Sequence, residues 1–287
     1  MANKKNLEQE AEQRHIDDEL QNSKASKLTS AKTQGEILKQ QIGEGLETYD
    51  KNPISILLSS LTAGLEIGFS YLLLCTLYYF LKGKVETDTI IKMLSLVYPF
   101  GFIMIILGQS ILYTEQTSLL TLPVLNRKRS IGSLLRLWGL VIAGNLLGGY
   151  FIAFVLVWFG PELGIFDLQT VEKIAEHVSD YNPFIILVSA ILAGWLMGLL
   201  SWLVAASKDT LSRIFIIFMI TAILSFAGLH HSIVGNVEVF AGLISSSAIT
   251  FLDYISFIAM ALLGNALGGF IFVALLKYRA FVYEVRG

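Results

Sequence analysis

Two short polar stretches carry the residues that could do chemistry. The first is Gly-Leu-His-His-Ser-Ile-Val-Gly-Asn-Val-Glu, from Gly228 to Glu238. It places two imidazoles and a carboxylate inside a run of 39 residues, Ile214 to Leu252, that has no Lys, Arg or Asp. The second is Gly-Gln-Ser-Ile-Leu-Tyr-Thr-Glu-Gln-Thr, from Gly108 to Thr117, inside a run of 33 residues, Met93 to Leu125, whose single charge is Glu115. Histidine titrates near neutral pH, so an imidazole in a narrow apolar passage can hydrogen-bond a small anion or share a proton with it. A solute crossing as the neutral acid avoids carrying a bare charge through low dielectric. Ionisable groups among such apolar runs cost on the order of 2.5–3.5 kcal/mol each on insertion scales, which makes a transport pathway the default reading. His231 is the strongest candidate in the first stretch. The adjacent His230 points elsewhere and reads as structural. Glu115 and Glu238 each lie near the start of a half-helix, where unpaired N–H groups and the helix dipole favour a carboxylate, so capping is the first reading and a proton or cation site near the pore the second. No metal-ligand cluster and no nucleophile–base–acid set occurs, so neither an enzyme nor a cofactor is expected.

The elements that must position these groups follow from length and hydropathy. Each of the two runs is longer than the ~20 residues one membrane helix needs and barely long enough for two. A helix that stops near mid-membrane and restarts fits both, because irregular backbone at that depth is tolerated only where protein or a water-filled cavity satisfies it. The composition agrees: 54% hydrophobic and 15% charged, against about 25% charged for a soluble domain. The long unbroken runs exclude a transmembrane β-barrel, which would alternate over short segments. A net charge of −2 argues against a nucleic-acid partner. Cys75 stands alone in an apolar span and reads as a small core residue.

The expected fold is an all-α membrane protein with spans at about 53–81, 90–125 (broken), 135–158, 183–206, 213–247 (broken) and 255–276. Residues 1–52 form a separate tail: polar and solvated, or a loosely held helix, over 1–33, then amphipathic from Gln34 to Asp50 with Ile37, Leu38, Ile42, Leu46 and Tyr49 on one face. That helix lies in the interface or packs on neighbouring loops. About 50 polar residues precede the first span, so no cleavable signal peptide is read and the first span directs insertion. Residues 160–181 form the longest loop, with a short surface helix over Gln169 to Val178. Lys and Arg near span ends number nine on one side and three on the other, which places both termini in the cytoplasm.

An internal repeat organises the spans. Asn52-Pro53 recurs as Asn182-Pro183, and Ala63-Gly64 with Gly68 recurs as Ala193-Gly194 with Gly198, both at an offset of 130. Gly144-Asn-Leu-Leu-Gly-Gly149 recurs as Gly264-Asn-Ala-Leu-Gly-Gly269 at an offset of 120. Each half holds one broken element. Three spans is an odd number, so the second half enters the membrane upside down, giving a 3+3 inverted repeat of six spans. The glycine patches read as close helix contacts.

Together, the Leu112-Tyr-Thr114 kink, the paired Gly-Asn patches, Gly228-Leu-His-His-Ser-Ile233 and the repeat resemble the formate/nitrite transporter family over residues 34 to 280. The resemblance is nearest to its YfdC-like branch, through Thr114-Glu115 and Val234-Gly-Asn-Val-Glu238. It implies a homopentamer of aquaporin-like protomers in the plasma membrane of a bacterium. Each protomer would pass small monovalent anions or their weak acids, of the formate, nitrite, hydrosulfide or lactate type. By motif position, His231 corresponds to the central pore histidine, Thr114 to the threonine it faces, Leu112 to an apolar constriction beside it and Phe102 to a second constriction. The family often has Ser after the kink threonine, where this chain has Glu115. It often has Asn four residues after the histidine, where this chain has Gly235, with Asn236 one position later. Two other classes stay open: a pore for a neutral solute or a cation, motivated by Glu115, and a membrane scaffold acting through residues 1–52.

Overall fold

The structure, a computed structural model, describes residues 2–22 and 32–286. Among the described residues it is all-helical, with no strand beyond one isolated bridge between Lys82 and Val85. The chain opens with α1 (Ala2–Asn22) and α2 (Gln34–Asp50). α2 starts at a capping box: the Glu36 N–H donates to Thr33 Oγ1 and the Thr33 N–H to the Glu36 carboxylate. Its predicted apolar face is buried at Ile37, Leu38 and Ile42, and it rests on the helical body. Gln41 donates to Ser201 Oγ at 3.0 Å, and the Tyr49 hydroxyl donates to the Leu120 carbonyl at 2.9 Å.

The membrane body follows. α3 (Pro53–Leu81) is capped by Asn52, and α4 (Thr87–Leu94) and α5 (Pro99–Leu107) run on from it. After a break come α6 (Tyr113–Leu119) and α7 (Thr121–Leu125), then α8 (Ile131–Glu162), longer at both ends than the sequence suggests. α9 (Leu168–Ser179) is the predicted loop helix, but its apolar face (Val171, Ile174, Ala175) is buried and packs on a later half-helix. α10 (Pro183–Ala206) is capped by Asn182 in the same way as α3. α11 (Thr210–Phe226) and α12 (Ser232–Ser245) are the two pieces of the second broken element. α13 (Phe251–Gly268) continues through a π-helical stretch, Gly269–Leu275, into α14 (Leu276–Arg286).

Among the described residues, five stretches are long and apolar enough to cross a membrane: Pro53–Leu81, Thr87–Leu107, Ile131–Glu162, Pro183–Ala206 and Phe251–Val285. Large apolar side chains such as Phe151, Phe154, Trp158, Phe184 and Phe251 stand exposed on them. So much outward apolar surface requires lipid or a neighbouring protein. The chain is an integral, multi-pass membrane protein.

The closest helix pairs are α3 with α8 and α10 with α13. Their glycines explain the approach. A Cβ on Gly148 would run into the Leu61 carbonyl, and one on Gly268 into the Ile191 carbonyl. Of the two forms expected of residues 1–33, a solvated tail or a loosely held helix, α1 is a helix, and its Ile16 and Leu20 are buried with Tyr278, Phe281 and Val282. Gln13 also donates to Asn126 Oδ1 at 2.8 Å. The partners of α1 come from α2, from the turn after α7 and from α14, which mean polarity cannot reveal.

A methyl group at Gly148 is thus expected to destabilise the body by about 1–3 kcal/mol through overpacking. Gly139→Ala, where nothing lies within 4 Å of the added carbon, should be neutral or slightly stabilising. Thermal melting of the detergent-solubilised proteins checks the contrast; equal melting of the two variants would refute it.

Candidate functional site

Each broken element leaves backbone groups that helix geometry cannot satisfy. In the first, α5 ends at Gly108, Gln109 takes a left-handed φ of 58°, and α6 restarts at Tyr113. In the second, α11 ends at Phe226, Gly228 takes a φ of 67°, and α12 restarts at Ser232. Two fully buried asparagines absorb the exposed groups. Asn145 of α8 accepts from the Tyr113 N–H at 2.8 Å and donates to the Ile111 and Ser60 carbonyls at 2.9 and 2.7 Å. Asn265 of α13 accepts from the Ser232 N–H at 2.8 Å and donates to the His230 and Ala190 carbonyls at 3.1 and 2.8 Å. Ser59 and Ser189 add matching bonds, accepting from the Ile111 and His230 N–H groups, each at 3.2 Å. The glycine patches were legible in the sequence, but the role of their asparagines was missed. The signal was present in the repeat offsets: 120 for the asparagines and 130 for the serines.

The two breaks meet at His231 and Thr114. His231 is the N-cap of α12, and its Nδ1 accepts from the backbone N–H groups of Ile233 and Val234, each at 3.3 Å. A neutral ring that accepts at Nδ1 carries its hydrogen on Nε2. Nε2 lies 2.9 Å from Thr114 Oγ1, so the ring donates to that hydroxyl. The edge of Phe102 closes on the imidazole, with ring centroids 5.1 Å apart. Leu112 is the N-cap of α6. Phe102, Leu112 and Thr114 have no exposed surface and His231 almost none, so the junction is closed.

A cavity of about 60 Å³ leads to His231 from the α9 side, several times the roughly 15 Å³ that one water needs. Leu74, Tyr78, Leu94 and Tyr98 form its apolar wall, and Lys173, His177, His230 and Glu238 its polar one. Glu238 sits two turns into α12, not at its start, so the capping expected of it from the sequence does not apply; helical phase turns it towards the cavity instead. His230 is both structural and exposed to the cavity. Its Nε2 donates to the Val178 carbonyl at 3.0 Å, which ties the break to the end of α9. Burial holds the His177 imidazole below the ordinary histidine range, and Lys92 pushes it the same way, against the opposing pull of Asp88.

Two predicted residues lie apart from this cavity. Glu115 is half-buried in the first turn of α6, without a side-chain cap bond there. Asn236 faces α13: its Oδ1 accepts from the Tyr254 hydroxyl at 2.6 Å, and that hydroxyl also meets Tyr150 at 2.6 Å. Gly235 lies where a Cβ would enter the ring of Phe257, which leaves no space for a side chain at that position.

The sequence model of the formate/nitrite transporter family matches residues 35–279. This chain belongs to that family. The inner membrane protein YfdC of Escherichia coli K12 is 30% identical over 82% of this chain and 74% of its own length. The nitrite transporter NirC of the same strain is 27% identical over 78% of this chain and 82% of its own. Among solved structures, an FNT family ion channel superposes with a TM-score of 0.77 at 23% identity, covering 85% of this chain and 98% of that one. A pentameric formate channel with formate bound superposes with a TM-score of 0.67 at 16% identity, covering 80% of this chain and 98% of that one. The family fold is therefore shared.

Loss of either clamp should be severe. Asn145→Ala and Asn265→Ala each strand one N–H and one carbonyl at the break, at about 1–3 kcal/mol per group left without a partner, and lose the tie to the adjacent long helix. The Asp variants should fare no better, because a carboxylate cannot donate to the two carbonyls. Melting and oligomer recovery in detergent measure this; an Asp variant with wild-type melting would contradict it. For His177, the unfolded chain takes up a proton that the folded one resists, so stability falls as pH drops through the ordinary histidine range, about 6.5. His177→Gln should lose less melting temperature on that descent than wild type, and an equal loss would count against it.

Proposed function

We propose that this chain is a transmembrane channel for small monovalent anions or their weak acids, of the formate, nitrite and hydrosulfide type, with His231 and Thr114 at its central constriction. The observation that carries the reading is the double engagement of His231. Its Nδ1 is occupied by two backbone N–H groups, and its Nε2–H is aimed at Thr114 Oγ1, 2.9 Å away. An anion with two oxygens can take the place of that mutual bond, accepting from the imidazole and the hydroxyl together. These donors offset part of the cost of leaving water. Of the two roles open to His231, hydrogen-bond donor and proton donor, the geometry favours the first. An imidazolium would point an N–H from Nδ1 at the N–H groups of Ile233 and Val234. Phe102 and Leu112 are the apolar constrictions that must part for passage. Glu238 lines the approach. Glu115 and Asn236 are assigned to the same path at lower rank, since neither borders the cavity.

The frame belongs to the same proposal. Six spans in a 3+3 inverted repeat are supported by the matched asparagine and serine clamps and by the matched Asn52 and Asn182 caps. Residues 1–52 form the cytoplasmic tail and 53–287 the channel, with both termini in the cytoplasm of a bacterium. The pentameric assembly of the formate channel with the same fold supports a homopentamer.

Proteoliposomes loaded against formate, nitrite, hydrosulfide and acetate test the reading. Wild type should carry at least one of them, and His231→Ala should lower that flux at least tenfold. No flux from folded, inserted wild type, or an equal flux from the variant, would sink it. One observation favours a second reading, a pore for neutral solutes or cations: the Glu238 carboxyl group stands in the approach without a cationic partner among the described residues. Glycerol and methylammonium in the same panel separate the two.

A further inference from the structure

Glu238 is only 6% exposed, and what remains open faces the cavity that ends at His231. Among the described residues, no donor hydrogen-bonds to its carboxyl group and no Lys, Arg or His pairs with it. The neighbours within electrostatic reach are Tyr71 and Cys75 of α3 and Tyr98 ahead of α5. Across the cavity stand Tyr78 of α3, the imidazoles of His230 and His231, and, at its α9 end, His177 and Lys173. Lys173, the ammonium among the lining residues, is paired with Glu176 at 2.7 Å rather than with Glu238. A monovalent anion bound for His231 must therefore pass a carboxyl group that nothing neutralises, among apolar walls where like charges repel far more strongly than in water.

We propose that Glu238 is the charge filter of this approach. While its carboxyl is ionised, it bars monovalent anions from the Thr114–His231 junction. Once it takes a proton from cavity water, the same anions pass. The solute class this selects is an anion admitted only together with proton uptake by the wall, while neutral solutes pass at either charge state. The filter rests on the channel reading above and adds a specificity-determining residue to it. No bond other than the carboxyl O–H is made or broken, and the proton returns to water when the carboxyl ionises again.

The test is formate flux into proteoliposomes at pH 5 to 8 for wild type, Glu238→Gln, Glu238→Ala and Glu238→Asp, with the leak of protein-free vesicles subtracted. Taking the ratio of variant to wild type at each pH cancels the changing fraction of formic acid. At pH 8 the Gln and Ala variants should exceed wild type at least tenfold, and the ratio should fall towards one at pH 5. Glu238→Asp should follow wild type throughout. A ratio that is flat with pH, or neutral variants no faster than wild type at pH 8, would overturn the filter while His231-dependent flux left the channel reading standing. If folded wild type and both neutral variants carry no formate at any pH, both readings fall. If Gln and Ala variants fail to assemble while Asp assembles, the carboxylate is a structural requirement and the filter is overturned.

Discussion

A helix that stops inside a membrane has nowhere to put its last carbonyls and first N–H groups, and the organisation of this protein follows from how it meets that constraint. Water is absent and neighbouring backbone is already paired, so side chains must serve. A carboxamide suits the task because it donates and accepts at once. Asn145 and Asn265 each make two donated bonds and one accepted bond. One oxygen holds the first N–H of a restarting half-helix. One amide group holds the carbonyl two residues upstream and a carbonyl of an adjacent long helix. That third bond fixes each break to the α3–α8 or α10–α13 pair, not merely to itself.

The glycine patches are the condition for this arrangement. An asparagine side chain is short and reaches the Ser60 or Ala190 carbonyl only if the helices nearly touch. Carbon added at Gly144, Gly148, Gly264 or Gly268 would meet the facing helix. Small residues and buried amides are thus one device: the first bring the helices together, and the second exploit the distance. Stability and site geometry cannot be varied separately, because the groups that hold the pairs together also set where α6 and α12 begin.

The sequence made much of this legible because the governing signals were local and repeated. Two apolar runs of awkward length disclosed both breaks, and Asn-Pro pairs disclosed two span starts, which the structure bears out at Asn52 and Asn182. Resemblance singled out Thr114 and His231, which the fold brings within 2.9 Å. What stayed hidden depended on tertiary direction. Glu238 looked like a cap because its distance from the break in sequence is short, but seven residues are two turns of helix. The direction of Asn236 was likewise not legible: its amide oxygen accepts from the Tyr254 hydroxyl, and the neighbouring Gly235 faces Phe257. The burial of α1 was not legible because its buried stripe is two residues wide among many polar ones.

The N-caps of the two restarting half-helices differ, and the difference carries the chemistry. Leu112 and His231 occupy equivalent N-cap places, 119 residues apart. The first cap is an apolar side chain with no bond to the helix it begins. The second is an imidazole that holds two N–H groups of its own helix and turns its remaining hydrogen outward. Had both been leucine, the junction would be a plain hydrophobic plug. Had both been histidine, two donors would face each other with no acceptor between them. One of each, with Thr114 supplying the hydroxyl, leaves a single polar contact between apolar caps. Capping also limits what the histidine can do: a nitrogen committed to backbone N–H groups is not free to bind a proton without releasing the start of α12. Proton chemistry along this approach therefore falls to a group with no structural obligation, and among the described residues lining the cavity Glu238 is the buried carboxyl group that no hydrogen bond or ion pair engages.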